Sequence, residues 1–253
     1  MKDGKRLEAV KKYFLERKYV LWLLLWLVQV VWYFLLNNYQ KGGHLIHIGL
    51  DDKIPFVKEF VIFYELWYLY IAFAHIWTFF HSKREFLVMC CLIFFANFLS
   101  MFICTVYPSM HDLRPAESAM GNDFFTALVK WNYANDNPYC ILPSMHCLLA
   151  IVITVGLITS DSLKGNLLVK ILCPIYTVLV MLSTVFIKQH SIVDVFLAMG
   201  LSVPICLLTY FVILPKKRFE QVHAPLPPAE ATPALLFLSQ DDEYEEEKEE
   251  EGD

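Results

Sequence analysis

The sequence predicts an all-α, polytopic membrane protein: six transmembrane helices in one bundle, followed by a disordered acidic C-terminal tail. Three observations carry this expectation. Hydrophobic residues make up 57% of the 253 positions, against roughly 45–50% in soluble domains. The excess is gathered into long apolar blocks rather than spread along the chain. Charge is segregated as well: residues 241–253 hold ten acidic groups and one lysine, a charge of −9 out of a net −5, so the remainder carries +4. The organisation follows as a basic N-terminus (1–18), a membrane domain (19–214) and a Pro-rich, then acidic, tail (215–253).

Residues 1–18 contain seven Lys or Arg. The apolar run 19–36 is too long and aromatic for a signal peptide, and no small-x-small site follows it, so it reads as the first span. Residues 37–58 form a polar loop with Gly42-Gly43 and Pro55. The second span, 59–80, is dense in Tyr, Trp and Phe, and its His75 reads as a packed, hydrogen-bonded residue. A short basic turn leads to the third span, 86–106. The connection 107–141 is the longest inside the membrane domain and holds Arg114-Pro115 and Asp136-Asn-Pro138; ordered loops of this length usually carry function. The fourth span runs from Pro143 to residue 159, the fifth over 167–187 and the sixth over 192–214, with kinks expected at Pro174 and Pro204. Beyond Pro215 the chain cannot bury enough apolar surface to order itself, although residues 235–238 form a short apolar island.

Seven cysteines are scattered without a CxxC or a Cys/His zinc spacing. They read chiefly as small core residues, with a Cys104–Cys140 disulfide near one membrane face as the lesser alternative. No metal site and no cofactor is expected, and neither is a nucleic-acid partner; the protein's own partners are not specified by the sequence. Six spans put both termini on one side. Lys and Arg in the segments on that side number fourteen, against six on the other, so the termini are expected in the cytoplasm of a multi-pass cell-membrane protein. The loop 107–141 and the stretch 188–194 then share the outer face.

Ionisable groups at membrane depth are costly and are functional candidates. His190 and Asp194, four apart, stack on one face if helical, and the carboxylate would then fix the imidazole tautomer and free the other nitrogen as a nucleophile. Ser144 and His146, in Pro143-Ser-Met-His146, fall at a helix start, where free N–H groups and the helix dipole attract anions. Arg114 adds a donor fork matched to phosphate oxygens. The competing readings are a His190–Asp194 pair that merely satisfies itself at a helix end, His146 capping its own helix, Ser144 as a plain N-cap, and Arg114 as an interfacial arginine reaching lipid head groups.

Arg114-Pro115, Pro143-Ser-x-His146 and His190-x-x-x-Asp194 resemble, in order and placement over roughly residues 55–214, the three motifs of the type 2 phosphatidic acid phosphatase family. Tyr107 and Thr184 stand where that family has a lysine and an arginine. The Lys-Gln-His form of the third motif is similar to a bacterial branch related to inositol phosphorylceramide synthase and sphingomyelin synthase. The resemblance implies a membrane enzyme acting on a lipid phosphate or diphosphate at the extracytoplasmic face: His190 attacks phosphorus, Asp194 orients it, His146 protonates the leaving alcohol, and Arg114 and Ser144 hold the phosphoryl oxygens. Phosphatase and phosphotransferase chemistry both stay open, beside a catalytically inactive lipid-binding protein. A transporter would need paired broken helices, which the sequence lacks. Lys188 lies four residues after Thr184, one turn on along a continued helix, and is expected to replace the missing arginine at the phosphate; an interfacial anchor is the alternative.

Overall fold

The computed structural model describes residue 22 and residues 24–216. The basic N-terminus, the start of the first expected span and the tail with its apolar island lie outside the described residues. The described chain is mostly helical. In order it forms α1 (Leu24–Tyr39), strand β1 (His44–Leu45), single turns at Asp51–Lys53 and Lys58–Phe60, α2 (Val61–Glu65), α3 (Trp67–His81), α4 (Lys83–Val106), β2 (Ser109–Met110), α5 (Glu117–Met120), α6 (Phe124–Asn135), α7 (Met145–Ile158), α8 (Leu167–Phe186), α9 (Ile192–Leu207) and a π-helical end at Leu208–Ile213.

Four stretches are long and apolar enough to cross a membrane: Lys58–His81, Lys83–Val106, Leu167–Phe186 and Ile192–Ile213. Six spans were expected. The other two apolar helices among the described residues, α1 and α7, are shorter, with 16 and 14 residues. At 1.5 Å per residue α7 rises about 21 Å, less than the roughly 30 Å of a hydrocarbon core. It is nevertheless the centre of the bundle, packed against α3, α4, α8 and α9. Its Cys147, Leu148, Ala150, Val152, Ile153 and Leu157 have no exposed surface. The surrounding helices show the opposite pattern. On α8, Leu168, Leu172, Ile175 and Val178 are each more than half exposed, as a lipid-facing stripe requires.

Local chemistry sets the helix starts. Ser82, Asp123, Ser144 and Asn166 each accept a backbone N–H two or three residues into the helix that follows, satisfying donors that would otherwise be orphaned. α8 and α9 run through Pro174 and Pro204.

The connections at the α4 C-terminal end are tied together. β1 pairs in parallel with β2, His44 opposite Ser109 and Leu45 opposite Met110. Gly43, at φ +150°, precedes this pairing, and a Cβ there would lie 2.6 Å from the Pro108 carbonyl, so only glycine fits the approach. Cys104 at the end of α4 and Cys140 before α7 are joined by a disulfide, with Cα atoms 5.1 Å apart. The reading of all seven cysteines as core residues therefore fails for these two. The other five are free thiols, four of them buried.

Candidate active site

The residues singled out in the sequence come from three connections and the helix starts that follow them, and the fold brings His146, His190 and Asp194 together at one end of α7, with Arg114 behind Gln189. α8 stops at Phe186, and Lys188 takes a left-handed backbone, φ +55°. The Thr184 carbonyl accepts from both Gln189 N and His190 N, closing the turn. α9 then begins with Ser191 as N-cap. His190 therefore precedes the helix that carries Asp194 and does not share it, which corrects the one-face expectation. The pair forms through the cap itself. One oxygen of the fully buried Asp194 carboxylate accepts from Ser191 N at 3.0 Å and faces His190 Nδ1 at 3.1 Å. A carboxylate there selects the tautomer with the proton on Nδ1 and leaves the Nε2 lone pair free.

His146 lies in the first turn of α7, its ring between Tyr64 (centroids 3.9 Å apart) and Trp67 (4.2 Å). The His146 and His190 ring centroids are 6.4 Å apart, the planes tilted by 55°. Both histidines line a cavity of about 600 Å³ that runs between α1, α3 and α4, within the range of small-molecule sites. The His146 Nε2 has no partner among the described residues.

Arg114 approaches from the other side of Gln189. Its Nε and Nη2 both donate to Gln189 Oε1, at 3.2 and 2.6 Å, while Nη1 donates to the Tyr133 carbonyl and Nη2 also to that of Asp136. The guanidinium also sits 4.2 Å over the Tyr133 ring. Gln189 in turn donates to Asn132 Oδ1, and Asn132 donates to Glu65 at 3.0 Å. The bidentate edge that matches a phosphate is thus occupied by an amide oxygen that can give way to a more strongly accepting anion.

None of the three expected phosphate ligands lines the cavity: Arg114 reaches it only through Gln189, and the other two are placed elsewhere. Ser144 has no exposed surface, and its oxygen accepts from Cys147 N as a cap; it is not among the residues lining the cavity. Lys188 is turned away by its left-handed backbone. Its ammonium donates to the Asp51 and Ile54 carbonyls at 2.7 and 2.6 Å, so the helical extension that would have aimed it at the Thr184 face does not form. Burial lowers the Lys188 pKa, opposed by the charges of Asp51 and Asp52. Thr184 is fully buried, and Tyr107 stacks on His44 with centroids 4.3 Å apart. Neither lines the cavity.

Sequence reasoning missed Asp51, Gln189 and His111. Asp51 lies 140 and 141 positions from two of its partners: its carboxylate accepts from Ser191 Oγ (2.7 Å) and Ile192 N (2.9 Å), at the positive end of α9, and locally from Ile48 N (3.0 Å). Gln189 had a signal, as a polar residue between two residues already selected. His111 is 5% exposed and accepts from Leu113 N. Burial, reinforced by the nearby charges of His190 and Arg114, pushes its pKa down to about 3, so it stays neutral at ordinary pH.

His47 pins the Asp51 segment to the one that precedes Arg114. Its two ring nitrogens face Asp52 at 2.9 Å and Asp112 at 2.7 Å. These two bonds, Asp52 first, raise its pKa above 6.5. A raised histidine pKa contributes stability that is fully present below the unfolded value, about 6.5, and is lost as pH rises through the folded value. Amide-exchange protection over residues 45–53, normalised for intrinsic rate, should therefore fall as pH rises through that window. His47→Gln should flatten the dependence; an unchanged profile would remove His47 as its source.

Among the described residues no group of three or more His, Cys, Asp or Glu is placed to hold a metal. No family model, no curated protein and no solved structure matches this chain.

Proposed function

We propose that this chain is an integral-membrane phosphatase or phosphotransferase that acts on a lipid phosphate or diphosphate through a phosphohistidine at His190. One observation carries the reading: a histidine with its Nδ1 against a buried carboxylate faces a second histidine at the head of an apolar cavity inside a membrane bundle. In the first step His190 Nε2 forms a bond to phosphorus as the bond to the lipid oxygen breaks, and His146 gives that oxygen its proton. In the second, His146 takes a proton from water or from an acceptor hydroxyl, whose oxygen attacks phosphorus as the P–N bond breaks. Arg114, released from Gln189, meets the charge on the phosphoryl oxygens. The resemblance of the three motifs to the type 2 phosphatidic acid phosphatase family supports the same roles, and the cavity suits a substrate whose chain stays in the bilayer.

The test is to trap the intermediate. Purified protein incubated in EDTA with a radiolabelled lipid phosphate and quenched within the first turnover should carry label that is acid-labile and base-stable. The label should chase into inorganic phosphate, or into a second lipid when an acceptor is supplied. Label that never forms, with phosphate release that requires added magnesium, would overturn the reading.

The six-span arrangement with cytoplasmic termini and an extracytoplasmic site is part of the same proposal. A single cysteine introduced into residues 116–135 should react with an impermeant maleimide in intact cells. Labelling only after lysis would invert the orientation.

A further inference from the structure

The cavity does not end at the histidines. Trp67 touches His146 at its head, and His75 lies eight residues further along α3, about 12 Å deeper. There the apolar lining is interrupted. His75 Nδ1 is 2.9 Å from the Ile71 carbonyl; a carbonyl can only accept, so Nδ1 carries the proton, and the neutral ring presents Nε2 as an acceptor. Gln29 is 5% exposed and donates through Nε2 to the Phe94 carbonyl at 2.9 Å, which fixes its Oε1 as an acceptor. Asn97, one turn beyond Phe94 on α4, adds an amide oxygen. Trp26, one turn from Gln29 on α1, packs edge-on to His75 with centroids 4.7 Å apart and brings an indole N–H. His75 Nε2, Gln29 Oε1, Asn97 Oδ1 and Trp26 Nε1 are all buried without a partner among the described residues, and all four residues line this one cavity.

Unpaired polar atoms at this depth are costly, and four of them belong to residues from three helices that line one void; each is now covered by its neighbours, so a polar group in the void meets them through a small turn of these side chains. The set is specific: acceptors on His75 and Gln29 fixed by their own outer hydrogen bonds, the amide oxygen of Asn97, and the Trp26 indole donor beside them. A plain alkyl or isoprenoid chain would leave all four unpaired. A carbonyl could use the indole alone. A hydroxyl can accept from Trp26 and donate to His75 or Gln29 at once.

We propose that the cavity recognises a lipid whose chain carries a hydroxyl about 12 Å below its phosphate, bound by Gln29, His75, Asn97 and Trp26. The position of the phosphate rests on the phosphoryl-transfer reading above; the hydroxyl site does not.

The test is native mass spectrometry of the full chain in detergent. Two lipid pairs are used: octadecyl phosphate with its mid-chain hydroxylated counterpart, measured on His190→Gln to prevent turnover, and the two corresponding phosphate-free alcohols, measured on the unsubstituted protein. The hydroxylated member of each pair should bind about tenfold more tightly, the scale of one or two well-made buried hydrogen bonds. The preference should fall to near one in Gln29→Leu and in His75→Leu. Equal or absent binding within both pairs overturns the hydroxyl site, and so does a preference that survives in both substituted proteins. If either variant fails to fold, the pairwise comparison decides alone. A preference among the alcohols with no binding of either phosphate would uphold the hydroxyl site and count against the phosphoryl-transfer reading.

Discussion

His190→Gln should abolish turnover of any lipid phosphate while leaving the protein folded and inserted. Glutamine can still place an N–H against Asp194, so the hydrogen bond at 3.1 Å has a substitute, but an amide cannot form the phosphoenzyme. Asp194→Asn should reduce turnover by about 10⁴-fold, the scale seen when a triad carboxylate becomes an amide. Two losses combine. The charge that stabilises the ring cation, as Nε2 bonds to phosphorus, disappears. When the amide N–H turns toward His190, it also selects the tautomer with the proton on the attacking nitrogen. Asp194 accepts from Ser191 N as well, so thermal unfolding must be measured beside the rate. A destabilised Asp194→Asn protein that kept its turnover per folded molecule would make the carboxylate a cap and nothing more. Substantial activity in His190→Gln would remove His190 as nucleophile.

What the sequence made legible was whatever is encoded locally. Apolar runs revealed the long helices because their composition alone sets their environment, and Ser144 was legible as an N-cap through its own side-chain oxygen, the role it has in the structure. The His190–Asp194 pairing was legible too, since both partners lie within four residues, although its geometry was not. Spacing of four implies one helical face only if the helix is continuous, and the left-handed Lys188 breaks it. That single backbone state also moves Lys188 from the expected phosphate to the Asp51 and Ile54 carbonyls. The partners that complete the site are remote. Arg114 meets Gln189 across 75 positions, Gln189 meets Asn132 across 57, and Asp51 meets Ser191 across 140. No periodicity links such residues, and amides and carboxylates in polar loops look alike until the fold brings them together. The Cys104–Cys140 bridge was legible only as the lesser alternative, because each residue also reads as a small apolar side chain; the folded connection brings their Cα atoms to 5.1 Å.

Asp51→Leu should destabilise the protein by about 3 kcal/mol or more, among the largest losses expected from one substitution outside the membrane-spanning helices. The carboxylate is 1% exposed and satisfies three donors, Ile48 N, Ile192 N and Ser191 Oγ. Hydrogen bonds to a charged acceptor contribute roughly 1.5–3 kcal/mol each before relaxation and water entry reduce the sum. Removing the charge also strips compensation from the N-terminus of α9. Asp51→Asn should cost less, yet it cannot restore the site. One of its atoms becomes a donor, and it must face either Ile192 N or the pair formed by Ile48 N and Ser191 Oγ. Lys188→Met tests the same segment from the other side, since the ammonium holds the Asp51 and Ile54 carbonyls; a loss of about 2 kcal/mol is expected. Because both residues secure the segment 51–54 beneath His190, the double substitution should cost less than the sum of the single ones, with a coupling of about 1 kcal/mol in a double-mutant cycle. Unfolding of purified protein in detergent measures all four variants. Turnover, corrected for the folded fraction, should fall less steeply in these variants than in His190→Gln, because they loosen the turn that carries the nucleophile without removing it. The opposite outcome is equally readable: if Lys188→Gln lost two to three orders of magnitude in rate at unchanged stability, its ammonium would have to leave the Asp51 carbonyl for the phosphoryl group during catalysis.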